Sequence, residues 1–249
     1  MQLLSPQTIS AAALNSTVQQ KGYAVLSASS VAEWADCPLE ALLALSPDWD
    51  DMPPDNYLKD GGRYRRRLHS SFVFDKGSLT QVPHRAHWQP LDYNALHGGM
   101  ERWFEPMQKN LTDNPAWQSL LLGLGALLSG QKPVTTWYVE AHQFRIDTTD
   151  GIGRPTPEGA HRDGVDFVAV FLLDRVGIKG GETRIFEASG STGLRFTLSQ
   201  PWSLLLMNDA RMIHESTPIQ PLGNYGYRDT LVLTYRSNGF QDSPKHSQQ

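Results

Sequence analysis

Apolar residues change their spacing partway along the chain. Leu14 and Val18 stand four apart in residues 8–20, and Gly22 is placed to end the run, which predicts a helix. Residues 23–27 predict a short strand, and 31–45 a second helix broken by Pro38. Residues 48–62 are polar and proline-rich and read as a surface connection. Residues 63–74 read as extended, closing on alternating Phe72 and Phe74. A helical period runs through Leu96, Met100, Trp103, Met107 and Leu111 in residues 91–111, and through Leu120, Leu121, Leu124, Leu127 and Leu128 in 116–129. The Trp and Leu residues of 91–129 are expected in the core.

Past Lys132 the apolar runs shorten. Residues 134–146, 166–173, 183–186, 194–198, 202–207 and 230–235 are strand-like, with Gly and Pro clusters between them. This spacing predicts an α+β chain with a double-stranded β-helix (a cupin-like jelly roll) over residues 132–240. Residues 1–131, mainly helical, are expected on its outside, the whole of 1–249 forming one domain. Residues 241–249 are polar and expected to fray.

Composition narrows the function. With 249 residues, 39% of them hydrophobic, the chain has enough for one sizeable core. A net charge of -4 speaks against nucleic acid as a partner. No apolar run approaches membrane-spanning length, and the first residues lack the features of a signal peptide. One cysteine, Cys37, fits a reducing compartment, so a cytoplasmic location is expected. Oligomeric state is left open.

The chemistry-bearing residues lie in the C-terminal half. In Pro157-Glu158-Gly159-Ala160-His161-Arg162-Asp163-Gly164, His161 and Asp163 are two apart, so an extended backbone aims both at one point. His214 follows from another strand, within Asp209-Ala210-Arg211-Met212-Ile213-His214-Glu215-Ser216. Two histidines and a carboxylate form the facial triad of non-haem iron(II) oxygenases, which leaves coordination positions open for a chelating co-substrate and dioxygen. Arg228 and Thr230 share a strand face further on. A guanidinium beside a hydroxyl suits the far carboxylate of a dicarboxylic keto acid.

These residues resemble a known family, the iron(II)- and 2-oxoglutarate-dependent dioxygenases of the bacterial L-isoleucine dioxygenase type, or 2OG-Fe dioxygenase family. The resemblance runs from about Tyr57 to Tyr235. The blocks around His161 and His214 carry it, with Gly61-Gly62-Arg63-Tyr64-Arg65-Arg66-Arg67, His142-Gln143-Phe144-Arg145-Ile146, Gly180-Gly181-Glu182-Thr183 and Arg228-Asp229-Thr230-Leu231. It implies a jelly roll that uses iron(II), 2-oxoglutarate and dioxygen to hydroxylate a free aliphatic L-amino acid. His161, Asp163 and His214 would be the metal ligands, and Arg228 with Thr230 the co-substrate anchor. The alternatives are the same chemistry on a peptide or another small metabolite, or a non-catalytic metal-binding regulatory jelly roll.

Other residues have two readings. Glu158 is a candidate for a substrate ammonium or a turn cap. Gln143 and Arg145 share one face of strand 134–146, and His142 and Phe144 the other; either face could line the site. Arg63, Arg65, Arg66 and Arg67 read mainly as a solvated strand, with one inward arginine a candidate for a substrate carboxylate. Asp166 and Asp209 read as structural acceptors. His69, His84, His87 and His97 make a second metal site by count alone. Gly180-Gly181 reads as a turn.

Overall fold

The structure is a computed structural model that describes residues 4–244. The expected fraying of 241–249 falls, from 245 on, outside the described residues. The described residues form five α-helices: α1 (Leu14–Lys21), α2 (Ala28–Trp34), α3 (Leu39–Leu43), α4 (Lys109–Thr112) and α5 (Pro115–Gln131). The strands are β1 (Tyr23–Leu26), β2 (Arg65–Asp75), β3 (Ser78–Gln81), β4 (Thr136–Asp147), β5 (Phe167–Val176), β6 (Ile178–Gly180), β7 (Thr183–Glu187), β8 (Gly193–Phe196), β9 (Leu204–Asn208), β10 (Met212–Ser216), β11 (Ile219–Pro221) and β12 (Tyr227–Arg236).

These strands form the expected jelly roll. The large sheet has the order β1-β9-β5-β12-β4-β2-β3, a smaller one the order β10-β7-β8, and β11 pairs with β6. Strand alternation sorts side chains onto the two faces of the large sheet. Val139 and Ala141 of β4, Ala169 and Phe171 of β5, and Leu231, Leu233 and Tyr235 of β12 pack against Leu14 and Val18 of α1 and Leu120, Leu121, Leu124 and Leu128 of α5. Val168, Leu172, Leu205 and Met207 leave by the other face to meet Ile185, Phe196 and Met212 of the small sheet. Fully burying each of the Val, Leu, Ile, Phe and Met side chains among them stabilises the fold by about 1.5–3 kcal/mol.

Local signals place the helices. Gly22, in a left-handed conformation, ends α1. Asn114 accepts the Ala116 N–H, and Pro115 opens α5. Among the described residues no helix is long and apolar enough to cross a membrane.

Three expectations need correction. The N-terminal half is not only an outer helical layer, because β1, β2 and β3 are members of the large sheet. Residues 48–62 are not a surface connection: Trp49, Met52, Asp55 and Leu58 are buried, and the Trp49 indole donates to the Thr230 carbonyl at 3.2 Å. Residues 91–111 are helical only at α4. Leu96 and Trp103, two of the residues that set the apparent period there, are exposed, as is Leu91, whereas Asn94, His97 and Arg102 point inward. Pro90, Pro106 and the Gly98-Gly99 pair all oppose a continuous helix.

Candidate active site

His161 and His214 are locked opposite one another. Their backbones exchange two hydrogen bonds, at 3.0 and 2.9 Å, in an isolated bridge. His214 sits mid-strand in β10, opposite Ile185 of β7, so the small sheet fixes its position. Asp163 closes the third side. His161 Nε2 lies 3.8 Å from one of its oxygens and His214 Nε2 3.7 Å from the other. The three donor atoms fall within 4.8 Å of one another.

The charge around the triad suits a metal. His161 Nδ1 lies 2.9 Å from the Gly159 carbonyl, which can only accept, so Nδ1 carries the proton and the Nε2 lone pair faces Asp163. Burial, then the His161 charge, push His214 down to about 4, leaving a neutral imidazole. At His161, burial opposes protonation, but the Asp163 and Glu158 carboxylates outweigh it and raise the pKa. Negative charge therefore gathers where a cation would sit. Two imidazoles and one carboxylate converging on one point fit the iron(II) facial triad.

A carboxylate holds the turn behind the triad. Asp209 accepts the backbone N–H groups of Asp163, Gly164 and Val165 at 3.0, 2.8 and 3.1 Å. Gly164 has φ +75°, and a Cβ there would come within 2.5 Å of the Tyr93 ring, so the turn requires glycine. Asp166 likewise serves structure, holding Lys132 Nζ at 2.5 Å and the Ser237 N–H at 2.7 Å.

The triad opens into a cavity of about 120 Å³ walled by β2, β4 and β12. Thr230 faces Phe144, and Phe144 faces Arg67; Arg228 faces Ile146, and Ile146 faces Arg65. Two apolar residues of β4 thus separate a cation on β12 from cations on β2. Arg228 is buried, and its Nε has no hydrogen-bond partner among the described residues. Burial, then the neighbouring Arg175, push it down to about 10. A buried cation without a counterion is costly to keep, and an anion in the cavity would offset that cost.

The other candidates divide. Glu158 lines the cavity, 3.4 Å from His161 Nε2 by one oxygen, while its Oε2 is buried without a hydrogen-bond partner. Gln143 and Arg145 leave by the helix-covered face, away from the triad. Gln143 donates to the Asp48 carbonyl, and Arg145 grips Asp229 at 2.6 and 2.8 Å, so neither contacts the site. In the basic cluster, Arg63 is exposed beside Asp150 and Arg66 is half-exposed, but Arg65 and Arg67 face the cavity. Arg65 is paired with Asp55 at 2.7 Å.

His69 and His87 join Glu140 and His142 in a second cluster of donor atoms within 4.8 Å. Hydrogen bonds already use these groups. Glu140 holds His87 Nδ1 at 3.1 Å, His69 Nε2 at 3.3 Å and Arg85 at 3.2 Å, and His142 Nδ1 accepts from Arg67 at 2.9 Å. Three guanidiniums nearby would repel a metal ion. His84 lies apart, bonded to the Phe104 carbonyl.

Sequence reasoning missed Gln89, Asn94 and Arg102, which all line the cavity. Gln89 donates to Asp163 at 3.2 Å and accepts from Arg102 at 2.8 Å and Asn94 at 3.2 Å. It ties the metal ligand to the wall opposite. The available signal was the density of Pro and Gly around these residues, which marks an irregular segment of the kind that carries function.

Comparison with curated proteins returns no match. A crystal structure of a bsmA homologue from Methylobium petroleophilum PM1 is 49% identical, with 98% of this chain and 99% of that one covered at a TM-score of 0.91. IDO from Bacillus thuringiensis shares the fold at 17% identity and a TM-score of 0.74, covering 96% of this chain and 100% of that one. The Fe(II)/α-ketoglutarate-dependent dioxygenase TqaL shares it at 20% identity and 0.69, covering 91% and 86%. The family model described as 2OG-Fe dioxygenase matches residues 46–234, a span that takes in the triad, Arg228 and Thr230. This chain belongs to the 2OG-Fe dioxygenase family and is an oxidoreductase whose cofactors are iron(II) and 2-oxoglutarate.

Proposed function

We propose that the chain hydroxylates a free L-amino acid, with His161, Asp163 and His214 holding iron(II) and Arg228 and Thr230 holding the far carboxylate of 2-oxoglutarate. One observation carries this reading: three metal-donor side chains converge in the same cavity as a buried arginine without a counterion. Bound iron(II), with 2-oxoglutarate and dioxygen, supplies the oxidant that places a hydroxyl on a substrate carbon.

The protein's part is positioning. Arg228 offers a planar fork to the carboxylate, and Phe144, Ile146, Val170 and Val232 give the cavity its apolar wall. Gln89 and Asp209 hold Asp163 in place from two sides. The Glu158 carboxylate lines the cavity beside the metal ligands, its Oε2 without a hydrogen-bond partner among the described residues, and suits a substrate ammonium. An aliphatic side chain has Val165, Val170 and Phe144 to pack against. The single cysteine fits work in a reducing cytoplasm.

Succinate release from 2-oxoglutarate, measured with iron(II) and a panel of free L-amino acids and short peptides, tests the proposal. At least one free amino acid should stimulate release and gain one oxygen atom. Stimulation by peptides alone, or by none of the panel, would contradict it.

A further inference from the structure

Beyond the metal ligands and Arg228, the cavity holds two more guanidiniums that the fold does not neutralise. Arg67, on β2, is buried, and no carboxylate among the described residues pairs with it. Its Nη2 donates to His142 Nδ1 at 2.9 Å, its plane lies over Phe104 and Phe144 at 4.1 and 4.6 Å, and its Nε has no partner. Arg102 is 1% exposed. It donates to the Gln89 amide at 2.8 Å, and its Nε also has no partner.

The nearby acids are already engaged. Asp55 takes Arg65, and Glu140 takes Arg85, His69 and His87. Burial, then the Arg102 and Arg65 charges, hold Arg67 well below its ordinary value, with Asp55 and Glu140 opposing only in part. Burial and the Arg65 charge lower Arg102 to about 10. Two adjacent buried cations without a counterion are a liability in a folded chain unless an anion is expected there.

Their position says which anion. Arg102 reaches Gln89, and Gln89 reaches Asp163, so the pair lies one side chain from the metal ligands. Arg67 and Arg228 stand on β2 and β12, with β4 between them and Phe144 and Ile146 dividing their approaches. The keto acid has its own cation at Arg228. The second cationic flank is left for the molecule that is oxidised.

We propose that Arg67 and Arg102 form a carboxylate clamp for the substrate, opposite the keto-acid anchor and beside the metal. The clamp deepens the amino-acid reading above and rests on it. A carboxylate between two guanidiniums, with an ammonium toward Glu158, would orient an α-amino acid so that its side chain passes the metal. Gln89 acts as a positioning residue, because one amide sets both Arg102 and Asp163.

The test is anaerobic calorimetry on the iron(II)- and 2-oxoglutarate-loaded protein with a panel of free L-amino acids. Each amino acid that binds is compared with its methyl ester and its primary amide. The free acid should bind at least about tenfold more tightly than either neutral form, as expected when a charge-assisted contact is lost. Arg67→Leu and Arg102→Leu should each weaken the amino acid at least about tenfold. Arg67→Lys should fall between parent and Arg67→Leu. The same variants should weaken 2-oxoglutarate far less than Arg228→Leu does.

Equal binding of acid, ester and amide would overturn the clamp, and that comparison needs no variant to fold. Leucine variants that bind the amino acid as the parent does, or that lose 2-oxoglutarate instead, would also overturn it. A parent that consumes 2-oxoglutarate yet binds no carboxylate of the panel would remove the clamp and leave the metal chemistry standing. A parent that consumes no 2-oxoglutarate would contradict the proposed function, and the acid-to-ester comparison would still decide the clamp.

Discussion

Arg145 and Arg228 sit on paired strands of one sheet, yet they leave by opposite faces into opposite circumstances. Arg145 meets Asp229 through two hydrogen bonds, stacks on Tyr227 at 4.2 Å and reaches Asp50. Arg228 is as deeply set and meets no carboxylate among the described residues. On the helix-covered face a buried charge is paired, as a structural charge must be. On the cavity face Arg67, Arg102 and Arg228 form no ion pair among the described residues, and the Nε of each has no hydrogen-bond partner there. Folding gains no ion pair from such residues, so we read that face as shaped by what it binds.

The largest change should come from the triad. His161→Ala, Asp163→Ala or His214→Ala should each reduce 2-oxoglutarate turnover to background, with a far-ultraviolet circular dichroism spectrum like the parent's. Full turnover at equal iron content in any of the three would break the ligand assignment.

Breaking the paired face should cost stability. Arg145→Leu strands the Asp229 carboxylate, and the expected loss is about 3–5 kcal/mol in denaturant unfolding. Its affinity for 2-oxoglutarate should stay near that of the parent. A variant that keeps its stability but loses 2-oxoglutarate would move the keto-acid anchor to Arg145.

A smaller effect follows from the histidine cluster. Burial first, opposed by Glu140 and reinforced by Arg102 and Arg67, pushes His87 down to about 3 from an ordinary value of 6.5. Between those limits the unfolded chain takes up a proton that the folded chain refuses. Stability should therefore fall as pH drops from 6.5 toward 3, by about 1.4 kcal/mol per pH unit for this group. Burial lowers His69 and His142 in the same direction. The depressed Glu140 adds a loss of the same sign as pH passes below its unfolded value. Urea midpoints at pH 7 and pH 5 should show a gap that narrows in His87→Gln. An unchanged gap would mean that His87 is protonated in the fold.

Much of the site was legible before the fold. The two-residue spacing of His161 and Asp163, a distant His214, and Arg228 sharing parity with Thr230 are consequences of strand geometry, which a sequence displays. The strands β4, β5 and β12 were legible for the same reason. The lining face of β4 was not. Both faces of that strand are buried, so polarity could not separate Gln143 and Arg145 from His142 and Phe144. Only the outward partners, Asp48, Asp50 and Asp229, decide it. The segment that supplies Gln89, Asn94 and Arg102 is held by scattered backbone and side-chain hydrogen bonds, so the period its sequence shows is a false one. There Leu96 and Trp103 imitated a helix while facing solvent.

The central claim is that the lone guanidiniums of the cavity face serve ligands rather than the fold. Anaerobic titration of the iron(II)-loaded protein with 2-oxoglutarate, in the parent and in Arg228→Leu, tests it most directly when paired with denaturant unfolding of the ligand-free forms. The affinity should fall by about 30- to 4000-fold, the equivalent of about 2–5 kcal/mol. Stability should hold or rise, because leucine removes an uncompensated buried charge. Unchanged 2-oxoglutarate affinity together with a loss of stability would show that Arg228 belongs to the fold and would contradict the account.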